Sequence, residues 1–70
     1  MIIGNNIRNI RKEKGMTLQQ IADIMGCSPQ LISQYESGKR QPKLETKKKI
    51  ADALNCQVSD IDESLYINRR

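Results

Sequence analysis

Residues 17–38 read TLQQIADIMGCSPQLISQYESG, and this stretch predicts two short helices joined by a tight turn. Thr17 begins a capping-box pattern, because the glutamine three residues later can return a hydrogen bond to the backbone. Gly26 permits the positive φ angle that a sharp turn needs. Ser28 followed by Pro29 marks a second helix start, since proline is tolerated at the first helical position. These local signals indicate where both helices begin and where the chain turns between them.

Helical patterns continue on both sides of this stretch. Before it, Ile3, Ile7 and Ile10 recur at i, i+4 and i+7, which gives one buried stripe on a helix that stops at Gly15. After it, a polar and basic loop precedes two more periodic segments. The predicted helices cover 4–14, start at 17, run from 28 to 38, and cover 44–54 and 58–64. No strand pattern is found, so the predicted fold class is all-α, a compact bundle of five short helices.

Length and composition suit one small domain. The chain has 70 residues, of which 37% are hydrophobic, and it contains neither Phe nor Trp. Its core must therefore be aliphatic, and its stability must come from efficient packing, from a partner chain, or from both. We expect the domain to cover residues 1–64, with 65–70 as a C-terminal tail. The formal net charge of +4 permits attraction to a polyanion without establishing it.

Several chemistries find no support in the composition. Because the chain has no histidine, its two cysteines, Cys27 and Cys56, cannot complete a tetrahedral zinc site. We interpret both as reduced, partly buried residues of a cytoplasmic protein, with a disulfide as the alternative. No secretory signal, membrane span, nucleophile with a base, or phosphate-binding glycine loop is found. We therefore expect no enzyme activity, no cofactor, no metal, no membrane partner and no small-molecule substrate.

The second helix of the opening stretch has an uncharged polar face. This stripe follows the spacing i, i+3, i+4 and i+7 and consists of Gln30, Ser33, Gln34 and Ser37. Amides and hydroxyls both donate and accept hydrogen bonds. Such groups match base edges in a DNA major groove, where glutamine can bond adenine at N6 and N7. The alternative is an ordinary solvated helix face, and for the two serines a phosphate contact is open as well.

The motifs, taken in order, resemble the Cro/C1-type helix-turn-helix domain of phage repressors and bacterial regulators. The resemblance spans residues 3–61. Its motifs are IRxIR at 7–11, TxxQIA at 17–22, GxS at 26–28, ISxYExG at 32–38, Pro42, and IAxAL at 50–54. The resemblance implies binding of double-stranded DNA, usually as a symmetric dimer on an operator, with the third helix as the recognition helix.

The resemblance also assigns individual residues. It places the base-reading positions at Pro29, Gln30, Ser33 and Gln34. The proline departs from the family pattern, because it offers no side-chain hydrogen bond. Leu18 also departs from it, at a position where a glutamine commonly meets a phosphate, so that contact is either absent or made by Gln19. The predicted DNA-binding set is Gln19, Ser28, Pro29, Gln30, Ser33, Gln34, Ser37, Lys39, Arg40 and Lys43.

Charged residues near the third helix receive two different interpretations. Lys39, Arg40 and Lys43 follow the recognition helix, where phosphate contacts would fix register and raise affinity without reading sequence. A solvated turn is the alternative for these cations. Arg11 and Glu36 are expected to form a partly buried ion pair that orients the recognition helix, as the resemblance implies.

The remaining polar and aromatic residues are interpreted as structural. Tyr35 is expected in the core, with its hydroxyl at the surface. The lysines at 47–49 point in three directions on a helix and do not form one patch, and the aliphatic stem of the first can cover apolar surface. The solvated surface of the last helix is assigned to Asp60, Asp62 and Glu63.

These features predict a cytoplasmic, sequence-specific regulator of transcription, a repressor that binds its operator as a homodimer. The dimer interface is expected at residues 56–61, together with Leu65, Tyr66 and Ile67. Two alternatives stay open: an antitoxin that binds both DNA and a toxin, and a helical protein-interaction module without DNA binding. The second alternative would expose apolar residues on the third helix, where this chain has glutamine and serine.

Overall fold

The computed structural model describes residues 2–62, and these form five α-helices. Their bounds are α1 Ile2–Glu13, α2 Leu18–Met25, α3 Pro29–Ser37, α4 Leu44–Leu54 and α5 Val58–Ile61. The described residues contain no strand, which agrees with the all-α prediction. None of the helices within residues 2–62 is long and apolar enough to cross a membrane.

The predicted caps fix the ends of the central helices. The Thr17 hydroxyl accepts a hydrogen bond from the Gln20 amide at 3.0 Å, and the Thr17 amide donates to Gln20 Oε1 at 2.8 Å. Gly26 adopts the left-handed conformation at φ 72° and ends α2. Ser28 Oγ then accepts from the Leu31 amide at 3.3 Å and begins α3. The capping box, the turn and the second helix start are thereby confirmed.

The apolar stripes of the helices meet in one aliphatic core. Its buried members are Ile7, Ile21, Ala22, Ile32, Tyr35, Ile50, Ala51, Ala53, Leu54 and Ile61. Tyr35 is 8% exposed, so its predicted place in the core is confirmed. Because α3 packs against both α1 and α2, its backbone is held from two sides. The core therefore supports α3 from below and leaves its outer face free.

The end of the described chain differs from the sequence prediction. The last helix, α5, ends at Ile61 rather than Ser64, and Asp62 is extended at φ −123°. Asp62 was predicted at the helix surface, and this is wrong: it is 8% exposed and accepts a hydrogen bond from Lys47 Nζ at 2.6 Å. Burial of the carboxylate is tolerated because a cation compensates it. Asp60 is exposed as predicted, and its Oδ2 accepts from the Gln57 amide at 3.0 Å.

Part of the predicted dimer interface is also incorrect. Ile61 is fully buried within its own chain, and the Asn6 side chain donates to its carbonyl oxygen at 2.9 Å. It therefore cannot contact a second copy. Cys56 and Val58 are half-buried, so they keep some surface for a partner. Outside the described residues lie Glu63, Ser64, the tail over 65–70 and the interface residues Leu65, Tyr66 and Ile67.

Both cysteines, Cys27 and Cys56, are free thiols with half-buried side chains. Burial raises the pKa of the Cys56 thiol, the carboxylate of Asp60 adds to the increase, and Lys14 opposes it. A raised pKa keeps the thiol protonated at neutral pH, and only the thiolate is a strong nucleophile. At neutral pH the Cys56 thiol is therefore less nucleophilic than an ordinary cysteine thiol.

Candidate nucleic-acid interface

The outer face of α3 carries the predicted polar stripe. Ile32 and Tyr35 point into the core, so the opposite side of the same helix faces solvent. All four members of the stripe are exposed, namely Gln30, Ser33, Gln34 and Ser37. Their exposure is confirmed, whereas their contact with bases stays a prediction.

Hydrogen bonding divides the polar residues of this face into two groups. The Ser28 hydroxyl caps α3, and the Ser37 hydroxyl donates to the Gln34 carbonyl oxygen at 3.2 Å. Within residues 2–62, no partner is found for the side chains of Gln30, Ser33 or Gln34. These three side chains therefore have their full hydrogen-bonding capacity available to a ligand.

Gln19 and Pro29, which lie in the first turns of α2 and α3, have fewer free hydrogen-bonding groups for a ligand. Gln19 Nε2 donates to Asp23 Oδ1 at 2.7 Å along α2, so this amide is already engaged. Pro29 occupies the first helical position of α3 and is half-buried. Leu18 is half-buried and apolar, which agrees with the absence of a polar contact at that position. A phosphate contact from the Gln19 side chain would use the second N–H of Nε2, because the first is bonded to Asp23.

A short basic loop continues directly from α3. Lys39, Arg40 and Lys43 are all exposed, and within residues 2–62 their side chains form no ion pair. The Arg40 amide donates to the Gln34 carbonyl oxygen at 3.2 Å, and Pro42 is buried. The loop backbone is thus anchored beside α3 while its cations extend into solvent. This arrangement keeps three positive charges near the polar face.

An ion pair joins α1 to the end of α3. Arg11 Nε lies 2.6 Å from Glu36 Oε2, and Arg11 Nη2 lies 3.2 Å from Glu36 Oε1. Arg11 Nη1 also donates to the Met16 carbonyl oxygen at 3.0 Å. The side chains are only 14% and 9% exposed, so the predicted partly buried pair is confirmed. A two-pronged contact of this kind fixes orientation as well as distance.

Two neighbours of α3 were missed in the sequence. Gly4 is buried in α1, and a Cβ atom at that position would lie 2.7 Å from the Tyr35 carbonyl oxygen and closer still to that of Glu36. The available signal was the glycine at the first position of the predicted helix 4–14, because a glycine within a helix needs a packing reason. The second neighbour of α3 that was missed is Arg8. Together with Ser33, it lines a cleft of ≈ 270 Å³ beside α3. Only the tertiary structure brings that arginine to the polar face.

Two helices joined by a tight turn define the helix-turn-helix class of domain. In this domain the second helix, α3, packs against α1 and α2 and is polar on its outer side. A family model described as Helix-turn-helix matches residues 7–61. The match covers most of the chain, and the chain belongs to this family, in the Cro/C1-type branch that its motifs resemble.

Individual relatives agree with the family assignment. The chain is 36% identical to an uncharacterized HTH-type transcriptional regulator, y4dJ, of Sinorhizobium fredii, over 97% of this chain and 94% of that protein. It is also 36% identical to the immunity repressor protein of Bacillus phage phi105, over 87% of this chain but only 42% of that protein. Against the competence pilus inhibition repressor of Acinetobacter baylyi, the identity is 39% over 87% of this chain and 56% of that protein.

A solved structure shares the whole fold. The crystal structure of the clp gene regulator ClgR from C. glutamicum superposes with a TM-score of 0.84 at 26% sequence identity. The match covers 99% of this chain and 90% of that one. The chain thus spans nearly all of two similar proteins and about half of the two repressors.

Proposed function

We propose that this chain is a sequence-specific transcriptional repressor that places α3 in the major groove of double-stranded DNA. The observation that carries the proposal is the unpartnered, exposed set of Gln30, Ser33 and Gln34 on a rigidly held helix. Unpaired amide groups cost nothing in water and gain bonds at base edges. The names of its relatives, which include an immunity repressor, support repression as the outcome.

The basic loop supplies the proposed phosphate contacts. Lys39, Arg40 and Lys43 are exposed beside the polar face, and contacts of this type position a protein without reading sequence. The remaining members of the proposed set are Gln19, Ser28, Pro29 and Ser37. The domain proposed to carry this function covers residues 1–64.

Binding as a homodimer follows from the size of the domain. One small module contacts too little DNA for tight specific binding, and a two-fold pair doubles the contact. Of the proposed interface, residues 56–60 retain surface in the described part of the chain. The interaction-module alternative is not favoured, because within residues 2–62 the exposed large hydrophobic residues, Ile24 and Leu44, both lie outside α3.

Selection from random duplexes at a stated salt concentration tests the proposal. We expect enrichment of inverted repeats whose half-sites are about 10–10.5 base pairs apart, since two recognition helices of a dimer enter successive major grooves. The bound fractions are sequenced, and the mass of the complex gives the number of chains. Enrichment of no sequence over the starting pool would refute sequence-specific binding, and single half-sites bound by one chain would refute the dimer.

A further inference from the structure

A cleft of ≈ 270 Å³ lies between α1 and α3, where α2 begins. It is lined by Arg8, Arg11, Leu18, Ser33, Glu36 and Ser37. Ser33 belongs to the polar face as well, so the cleft is continuous with the surface proposed to read bases. Whatever occupies it would lie directly beside α3.

The cleft carries one uncompensated positive charge. Arg11 and Glu36 neutralise each other through their short contacts, and both are largely buried. Arg8 is exposed, and within residues 2–62 its guanidinium has neither an ion pair nor a hydrogen bond. A neutral pair next to a free guanidinium favours an anion over a cation.

The hydrogen-bonding groups of the lining point to the same ligand. Leu18 forms an apolar wall, and the Ser37 hydroxyl is used on the Gln34 carbonyl oxygen. Among the polar side chains that line the cleft, those without any hydrogen bond within residues 2–62 are therefore the guanidinium of Arg8 and the hydroxyl of Ser33. A planar guanidinium matches two oxygens of a phosphate group, and a hydroxyl can supply a third hydrogen bond.

We infer that Arg8 and Ser33 together bind one phosphate of the DNA backbone in this cleft. The inference rests on the proposed function, because a duplex docked on α3 brings its backbone to the rim of the polar face. Of the interpretations left open for Ser33, a base edge, a phosphate or solvent, this inference selects the phosphate. Gln19 does not line this cleft, and one N–H of its amide is bonded to Asp23.

The test compares Arg8→Gln with the control Lys49→Gln, which also removes one positive charge but at a different place. Lys49 is exposed and lines a different cleft, beside Ile24 and Met25 of α2. Arg8→Gln is expected to weaken binding about tenfold, on the selected duplex and on a random one alike, because a charged hydrogen bond is lost. The slope of log K against log salt should fall by about 0.9. Lys49→Gln should change both quantities much less.

A scan with methylphosphonate, which replaces one charged phosphate at a time by a neutral group, locates the contact. When the contacted phosphate is the one made neutral, we expect wild type and Arg8→Gln to bind that duplex with equal affinity. Ser33→Ala should not lower the affinity for that same duplex either. Circular dichroism checks that each variant has the wild-type fold, as the exposure of both residues predicts.

The outcomes separate the two proposals. If wild type binds its duplex and Arg8→Gln behaves like Lys49→Gln, the phosphate site is wrong and the proposed function stands. The site is equally overturned if no methylphosphonate position removes the difference between Arg8→Gln and wild type. If wild type binds no duplex at any salt concentration, the proposed function fails, and the phosphate site fails with it.

Discussion

Replacing Glu36 with alanine is expected to lower the free energy of unfolding by about 3 kcal/mol, because it leaves the Arg11 guanidinium largely buried without its counter-charge. The present contacts of 2.6 and 3.2 Å satisfy that guanidinium from two sides, and its exposure is only 14%. The lower end of the usual range applies, since some solvent can still reach the stranded charge. Urea denaturation followed by circular dichroism measures the change.

Two companion variants show whether the loss comes from the buried charge. Glu45→Ala removes an exposed carboxylate from the first turn of α4 and should change stability by less than about 1 kcal/mol. Arg11→Met combined with Glu36→Leu removes both charges and should be more stable than Glu36→Ala alone. If Glu36→Ala were as stable as wild type, that result would contradict a structural role for the Arg11–Glu36 pair.

Gly4→Ala is expected to destabilise the protein by about 2 kcal/mol, although alanine is the better helix former. In an open helix the exchange would add roughly 1 kcal/mol of stability. Here the added methyl group would meet the carbonyl oxygens of Tyr35 and Glu36, which are backbone atoms of α3 and cannot rotate away. Overpacking against backbone therefore outweighs the gain in helix propensity.

The same denaturation experiment measures this effect, with Asn5→Ala as the matched control. Asn5 is exposed in the same turn of α1, so its replacement should be neutral or slightly stabilising. A rise in stability for Gly4→Ala would mean that α1 and α3 are not in close backbone contact. Because those atoms belong to α3, the variant should also weaken DNA binding.

Local chemistry made much of this fold predictable from sequence. Thr17, Gly26 and Ser28 act through residues three or four positions away, so short patterns identify them. The apolar periodicity of α3 likewise predicts which of its faces is exposed, since Ile32 and Tyr35 define the buried side. The candidate site follows from that periodicity because it is the remaining face of one helix.

Contacts between distant segments were not predictable in this way. Asp62 was assigned to the helix surface because its charged neighbours indicated exposure to solvent. In the structure α5 ends one residue before Asp62, and Lys47 donates a hydrogen bond to the carboxylate. Gly4 and Arg8 depend on how closely α1 approaches α3, a distance that no local pattern encodes. The ion pair of Arg11 with Glu36 was foreseen only through the family resemblance.

Charged groups and uncharged polar groups occupy separate parts of the proposed interface, and this separation has a physical basis. Charged residues lie beside α3 rather than on its outer face, which has only amides and hydroxyls. Phosphate contacts supply affinity that is independent of sequence and falls with salt, whereas base contacts supply discrimination. Mutations are therefore expected to change affinity and specificity separately.

The most direct test is the ratio of affinities for the selected duplex and a random duplex, measured at one salt concentration for wild type, Gln30→Ala and Gln34→Ala. Each variant is expected to lower this ratio about tenfold while leaving random-duplex binding nearly unchanged, because a bidentate base contact is lost. Asn9→Ala, which removes an exposed amide from α1, serves as the control and should leave the ratio at its wild-type value. An unchanged ratio in both glutamine variants would contradict base reading by α3.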